Sequence, residues 1–218
     1  MKNELENKIK SLIKDTKAEQ INVRELYKGK FVTLLEEDYR LPNGNIIQRE
    51  RIRKNNGKEA VIIVGRTSED KYLLVVQNRI NGIVSVEFPA GYIEEGEDVL
   101  VAAKRELLEE TGYTSDDLYL LDTYRSSLGI DGSVINIVVA NNVNLVSEQN
   151  LDESEYINYD LFTLDEIGEL INNHYINGAG NRLAYFEIIS NKKEPTKHWL
   201  FLFLLMFLFY TYILVIKL

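Results

Sequence analysis

Along most of the chain, apolar positions come in short runs separated by polar turns. Two runs, Ala60–Gly65 and Tyr72–Gln77, are β-branched and aliphatic and are joined by the polar turn Thr67–Lys71. They read as strands. Phe31–Glu37 and Ile46–Ile52 flank Pro42-Asn43-Gly44-Asn45, which predicts a hairpin. Val84–Phe88, Leu118–Tyr124 and Val134–Ala140 are further predicted strands. Helical spacing is found elsewhere. Met1–Asp15 mixes Lys and Glu with Ile9, Leu12 and Ile13, a short amphipathic helix. Asp98–Thr111 has helical character and is closed by Gly112, a favoured residue just past a helix end. Thr163-Leu164-Asp165-Glu166 is a capping box that opens a helix to about Asn172, and Ala179–Ser190 is a final amphipathic helix. Strands and helices are mixed without regular βαβ alternation, so the predicted class is α+β.

The C-terminal pattern is different. Trp199–Ile216 carries no charge over 18 residues. As a helix it would span about 27 Å, close to the thickness of a bilayer core. Lys192, Lys193, Lys197 and His198 precede it and Lys217 follows. Basic residues on the near side favour an anchor with the rest of the chain in the cytoplasm. A buried core helix and an aberrant C-terminus are the alternatives. No signal peptide is expected at the N-terminus.

Composition narrows the chemistry. The chain has 218 residues, a formal charge of -9, no cysteine and two histidines, His174 and His198. Thiolate catalysis, disulfides, Fe–S clusters and Cys-based zinc sites are excluded, and a His-rich metal site is not expected. The negative balance argues against a nucleic-acid binder. That charge is unevenly spread. Residues 91–113 hold seven acids and two bases, a net of -5.

Within that stretch Glu106, Glu109 and Glu110 are spaced i, i+3, i+4 and share one helical face. Three carboxylates on one face repel one another unless a cation lies between them. Mg²⁺ prefers oxygen ligands and suits such a cluster, with Mn²⁺ as the alternative. Set against this, most glutamate clusters are simply solvated helix faces. The frame decides between the two. Gly91 is followed by five residues, Glu97, seven residues, then Arg105-Glu106-Leu107-Leu108-Glu109-Glu110-Thr111-Gly112-Tyr113. Nine constrained positions over 23 residues match the box of the Nudix hydrolase family, which this segment resembles.

The resemblance implies a mixed β-sheet sandwiched between helices, with the box forming a loop–helix–loop. It also implies hydrolysis of a nucleoside diphosphate linked to another moiety. By position, Glu106, Glu109 and Glu110 resemble the family's metal ligands, with the backbone carbonyl of Ala90 as a further ligand. Glu97 and Arg105 look like the pair that braces the loop and orients the carboxylates. The segment Glu87-Phe88-Pro89-Ala90-Gly91 and the upstream stretch Leu26–Ile52 resemble the ADP-ribose pyrophosphatase subfamily. That likeness implies an N-terminal β-hairpin extension that builds a homodimer, with active sites that include residues of both subunits. It also implies substrate contacts from Arg79 and Arg51, the alternative for Arg79 being a solvated charge at a strand end. The base that takes a proton from water would be a glutamate on a loop after the box. Glu153 is the first choice and Glu155 the second.

The chain departs from that subfamily at Ser126-Ser127-Leu128-Gly129, where Leu128 stands in place of a proline in a loop that shapes the substrate pocket. Other nucleoside diphosphate sugars, such as GDP-mannose, therefore stay open beside ADP-ribose. The expected organisation is an N-terminal extension of dimerisation type (1–55), a catalytic domain (56–196) and the hydrophobic tail (197–218). The reading from a different class is a nucleotide-sensing module that binds without cleaving. Such modules typically lose box carboxylates, and this chain keeps all three.

Overall fold

The computed structural model describes residues 2–79, 82–152 and 155–193. The candidate base Glu153 and the apolar tail 197–218 lie outside the described residues. In chain order the elements are α1 (Lys2–Leu12), β1 (Glu19–Lys28), β2 (Val32–Arg40), β3 (Ile46–Lys54), β4 (Ala60–Arg66), β5 (Tyr72–Asn78), β6 (Val84–Glu87) and β7 (Ala90–Tyr92). There follow α2 (Val99–Thr111), β8 (Tyr113–Thr114), β9 (Asp117–Arg125), β10 (Val134–Asn141), β11 (Asn144–Leu145), β12 (Ile157–Phe162), α3 (Leu164–Asn172) and α4 (Ala179–Lys193). The α+β class expected from the pattern is what the chain adopts.

The main sheet runs β12-β5-β4-β10-β9, with β6 paired to β5 and β7 paired to β4. β4 and β10 are parallel, and the other pairs are antiparallel. Its central strands are apolar at successive positions because both faces are covered. One face presents Val61, Ile63, Leu73, Val138 and Ala140 to Ala102, Ala103 and Leu107 of α2. The alternate residues Ile62, Val64, Leu74, Ile137 and Val139 pack on Ile167 and Ile171 of α3 and on Ala184 and Ile188 of α4. The mixed sheet is therefore held between helices.

Strand pairing positions the site. β4 and β5 meet at the single pair Arg66↔Tyr72 and then separate. β6 continues the ladder on β5 (Val75↔Glu87 to Asn78↔Val84), and β7 continues it on β4 (Ala60↔Tyr92 to Ile62↔Ala90). The link Phe88-Pro89 crosses between them. The Ile63 N–H donates to the Pro89 carbonyl at 2.8 Å, and the Asn181 side chain accepts from the Phe88 N–H at 2.8 Å. Glu87, Ala90 and Gly91 are thereby set at the mouth of the cleft where the two strands part.

The N-terminal segment forms its own antiparallel sheet, β1-β2-β3. The hairpin read from the sequence is β2–β3, and β1 adds a third strand. β1 is exposed along its whole length, so it shows no in–out alternation that a pattern search could find. No helix among the described residues is long and apolar enough to cross a membrane.

Candidate active site

Helix α2 carries most of the candidate residues, and its ends are locally determined. Asp98 caps its start by accepting from the Leu100 N–H at 2.8 Å. Gly112 ends it with φ of 73°, and a Cβ there would lie 2.1 Å from the Ser147 carbonyl oxygen. Both the left-handed backbone and the close approach call for glycine. Ala102, Ala103 and Leu107 are fully buried on the sheet, which fixes the roll of the helix and turns Glu106, Glu109 and Glu110 toward the cleft.

The cleft is an open cavity of about 1110 Å³. Its walls include Ala90, Gly91, Arg105, Glu106, Glu109 and Glu110 from the box, with Arg79 and Glu87 from the β5–β6 hairpin. Asp152, Glu155 and Tyr156 line it from the loop that precedes β12. Gly91 makes room for a ligand-type carboxylate, since a Cβ there would fall 1.9 Å from Cδ of Glu106.

Arg105 organises the acids. Its Nε and Nη2 each donate at 2.9 Å to one carboxylate oxygen of Glu97, a bidentate pair. Nη2 also donates to the Tyr92 carbonyl at 3.0 Å. The remaining nitrogen, Nη1, donates to Glu106 at 2.8 Å and Glu109 at 3.1 Å. The Arg105 hydrogen bond holds the Glu97 carboxyl below its ordinary range. In return Glu97, then Glu106 and Glu109, hold the guanidinium firmly protonated against the cost of its burial.

Glu110 sits deeper, at 6% exposure. Burial pushes its carboxyl up to about 8, opposed by a 3.0 Å hydrogen bond from the Ala90 N–H. The charges of Glu106, Glu155 and Glu87 add to the upward push. Burial likewise raises Glu106, against the hydrogen bond from Arg105. A cation placed among buried carboxylates crowded by like charge would strongly favour their anionic forms. Among the described residues no three acids already converge as a finished cage. Arg105 provides the positive charge between Glu106 and Glu109. An all-oxygen donor set with surplus negative charge fits Mg²⁺ or Mn²⁺ and does not suit a soft metal.

Arg79 lines the cavity and is paired with Glu87, its Nη2 lying 2.6 and 2.5 Å from the two carboxylate oxygens. Glu87 was given no role from the sequence. Its only signal was its place at the head of Glu87-Phe88-Pro89-Ala90-Gly91, and its partner became visible once β6 folded back on β5. Arg51 and Leu128 do not line this cavity. Arg51 Nη2 donates to the Asp131 carbonyl at 3.4 Å, and Nε lies 3.9 Å from Glu37. Leu128 is 73% exposed and borders a separate, shallower hollow with Glu59, Tyr124, Arg125 and Val134. The reason is the 126–133 loop, which is drawn onto β3. The Ile52 N–H bonds the Ile130 carbonyl at 2.9 Å, and Lys54 pairs with Asp131 at 2.5 Å.

The NUDIX domain family matches residues 57–180. The methanol dehydrogenase activator of Bacillus methanolicus is 35% identical over 184 residues, covering 82% of this chain and 95% of that protein. The ADP-ribose pyrophosphatase of Bacillus subtilis (strain 168) is 34% identical over 175 residues, covering 79% and 92%. Among solved structures, an ADP compounds hydrolase superposes with a TM-score of 0.71 at 30% identity, covering 80% of this chain and 93% of the other. This chain belongs to the NUDIX domain family.

Proposed function

We propose that this protein is a Mg²⁺-dependent Nudix pyrophosphatase. It hydrolyses ADP-ribose or a related nucleoside diphosphate sugar to a nucleoside monophosphate and a sugar phosphate. The observation that carries the reading is the convergence on one cavity of Glu106, Glu109 and Glu110 with their brace, Glu97–Arg105. The names of two relatives, ADP-ribose pyrophosphatase and ADP compounds hydrolase, support the substrate class.

Glu106, Glu109, Glu110 and the Ala90 carbonyl would hold the metal. A bound divalent cation neutralises phosphate oxygens, orients a water and lowers that water's pKa. The protein groups do the rest. Arg79, held by Glu87, faces the anionic substrate. Water attacks one phosphorus, a new P–O bond forms and the bridging P–O bond breaks. The second phosphate leaves with the bridging oxygen, and the water's proton passes to a carboxylate of the loop before β12. Glu153 and Glu155 are the two candidates for that base. Support for Glu155 comes from its place on the cavity wall, where its charge acts on Glu106 and Glu110.

A homodimer follows from the N-terminal sheet as we read it. Support comes from the apolar side chains it leaves exposed, Ile21, Val23, Leu26 and Tyr27 on β1 among them. In that assembly the extension 1–55 is the dimerisation segment and 56–196 the catalytic domain. Arg51 and Leu128 would then serve the partner's cavity. We place the protein in the cytoplasm. The anchoring role of 199–216 rests on its uncharged length.

The test is a panel of nucleoside diphosphate derivatives, with ADP-ribose and GDP-mannose included, assayed with Mg²⁺ and with Mn²⁺. Turnover of a nucleoside diphosphate sugar is expected. No turnover of any member would overturn the reading.

A further inference from the structure

The loop between β11 and β12 carries acids into the cavity, and its anchoring is specific. The last turn of any helix leaves backbone carbonyls without intrahelical partners. At the end of α2, Leu108 is satisfied by the Gly112 N–H at 2.8 Å. The next two carbonyls are met by the loop. The Asn150 N–H donates to Glu109 at 2.9 Å, and the side-chain Nε2 of Gln149 donates to Glu110 at 2.5 Å. The same Nε2 donates to the carbonyl of Ile157, the first residue of β12, at 3.2 Å. A primary amide nitrogen carries two hydrogens, so both bonds can be made at once.

We propose that Gln149 is a positioning residue for catalysis: its one amide group ties the residue bearing the most buried box carboxylate, Glu110, to both ends of the acidic loop 150–156. This rests on the reading that a carboxylate of that loop accepts the proton of the attacking water. Gln149 is half-buried and touches neither the cavity nor the box carboxylates, so it acts through the loop. Its two acceptors belong to Glu110 and Ile157, both buried, where hydrogen bonds are strengthened and an unmet carbonyl is costly. A base mounted on a loop is less well placed than one on a helix unless something fixes the loop's ends. Gln149 supplies that fixture where the loop docks on the end of α2 and where it enters the sheet.

The test compares Gln149→Met, of similar length and without a donor, with Gln149→Glu, the same size and also without a donor when ionised. Both are made in the full chain. In either variant kcat should fall about 10- to 100-fold, the scale of a misplacement near 1 Å. KM should stay within about threefold, since the Gln149 side chain does not line the cavity that receives the substrate. Mn²⁺ affinity should be unchanged, because the Glu110 carboxylate is held separately by the Ala90 N–H. In a background with Glu153→Gln and Glu155→Gln, adding Gln149→Met should cost nothing further. Amide hydrogen exchange at Asn150 and Glu155 should speed up in the variants, with β4 unchanged. Wild-type kcat in both variants would overturn the proposal. So would an equal further loss in the background without loop acids, or lost Mn²⁺ affinity. If wild-type protein turns over none of the panel, the enzyme reading fails by itself. The exchange result then still decides the clamp: unchanged rates at Asn150 and Glu155 would refute it.

Discussion

Helix α2 and the N-terminal sheet are both rich in charge, yet they use it in opposite ways. In α2 the acids face a cleft and are crowded, half-desolvated and braced by one arginine. Glu110 is 6% exposed and its carboxyl is pushed up to about 8. In the N-terminal sheet the charges pair across strands in the open. Arg40 meets Glu19 at 2.8 Å, and Arg53 lies 4.0 Å from Glu25, with all four side chains at least 45% exposed. Exposed pairs of this kind contribute about 0–1 kcal/mol each. The sheet buries little apolar surface of its own, with Leu35 the one core residue it supplies among those described. A small sheet with so little core needs another surface to rest on. Desolvated charge is a device for chemistry. Solvated charge along an exposed sheet disfavours edge-to-edge pairing.

That contrast can be broken by mutation. The largest effect should come from Glu110→Gln. Removing a buried metal-type carboxylate should lower kcat by about two to four orders of magnitude in Mg²⁺. The thermal transition should be kept, and near-wild-type turnover would contradict the metal assignment. Next, Arg105→Met removes the brace and its hydrogen bonds to Glu106 and Glu109 while keeping every proposed ligand, and kcat/KM should drop about 10- to 100-fold. Metal titration of the variant should show weaker Mn²⁺ binding than wild type.

In the N-terminal sheet the effects should move to assembly. Val23→Glu puts a charge on the exposed apolar row of β1 and should raise the dimer dissociation constant about tenfold or more, roughly 1.4 kcal/mol. Sedimentation velocity over a dilution series would read the shift, and an unchanged series would argue against a dimer built on this sheet.

The smallest effect concerns the latch that ties β3 of the N-terminal sheet to the 126–133 loop. Burial alone would raise the Asp131 carboxyl, but hydrogen bonds from Lys54, Ser133 and Ser126 hold it well below its ordinary value. Its folded pKa is thus lower than its unfolded one. The stability it contributes is present above the ordinary aspartate value of 3.8 and is lost as pH falls through the folded value. Asp131→Asn should cost about 1–2 kcal/mol at pH 7. That difference should shrink in acid, as measured by urea midpoints at the two pH values.

Local signals were legible along the chain. The Thr163 capping box opens α3 as read, with the Glu166 side chain accepting from the Thr163 N–H at 2.8 Å. Gly112 ends α2 for a reason contained in its own backbone. The acids of the box and their arginine were legible because a fixed spacing on one helix sets their mutual geometry. β1 was not legible. Its strand state comes from the ladder offered by β2, with register Glu19↔Arg40 to Lys28↔Thr33, and not from its own pattern. The Arg79–Glu87 pair and the Gln149 clamp were hidden for the same reason. Each joins residues whose proximity depends on a strand pairing or a helix end elsewhere in the fold.

The sequence by itself determined the family, the all-oxygen chemistry of the site and the helix that carries it, because those depend on residue type and short-range spacing. Tertiary structure alone decided what surrounds that helix. It brought Glu87 and Glu155 to the cavity, drew Arg51 and Leu128 away onto the latch, and made Glu110 a buried acid. Burial and long-range pairing are properties of the packed chain, and no local spacing encodes them.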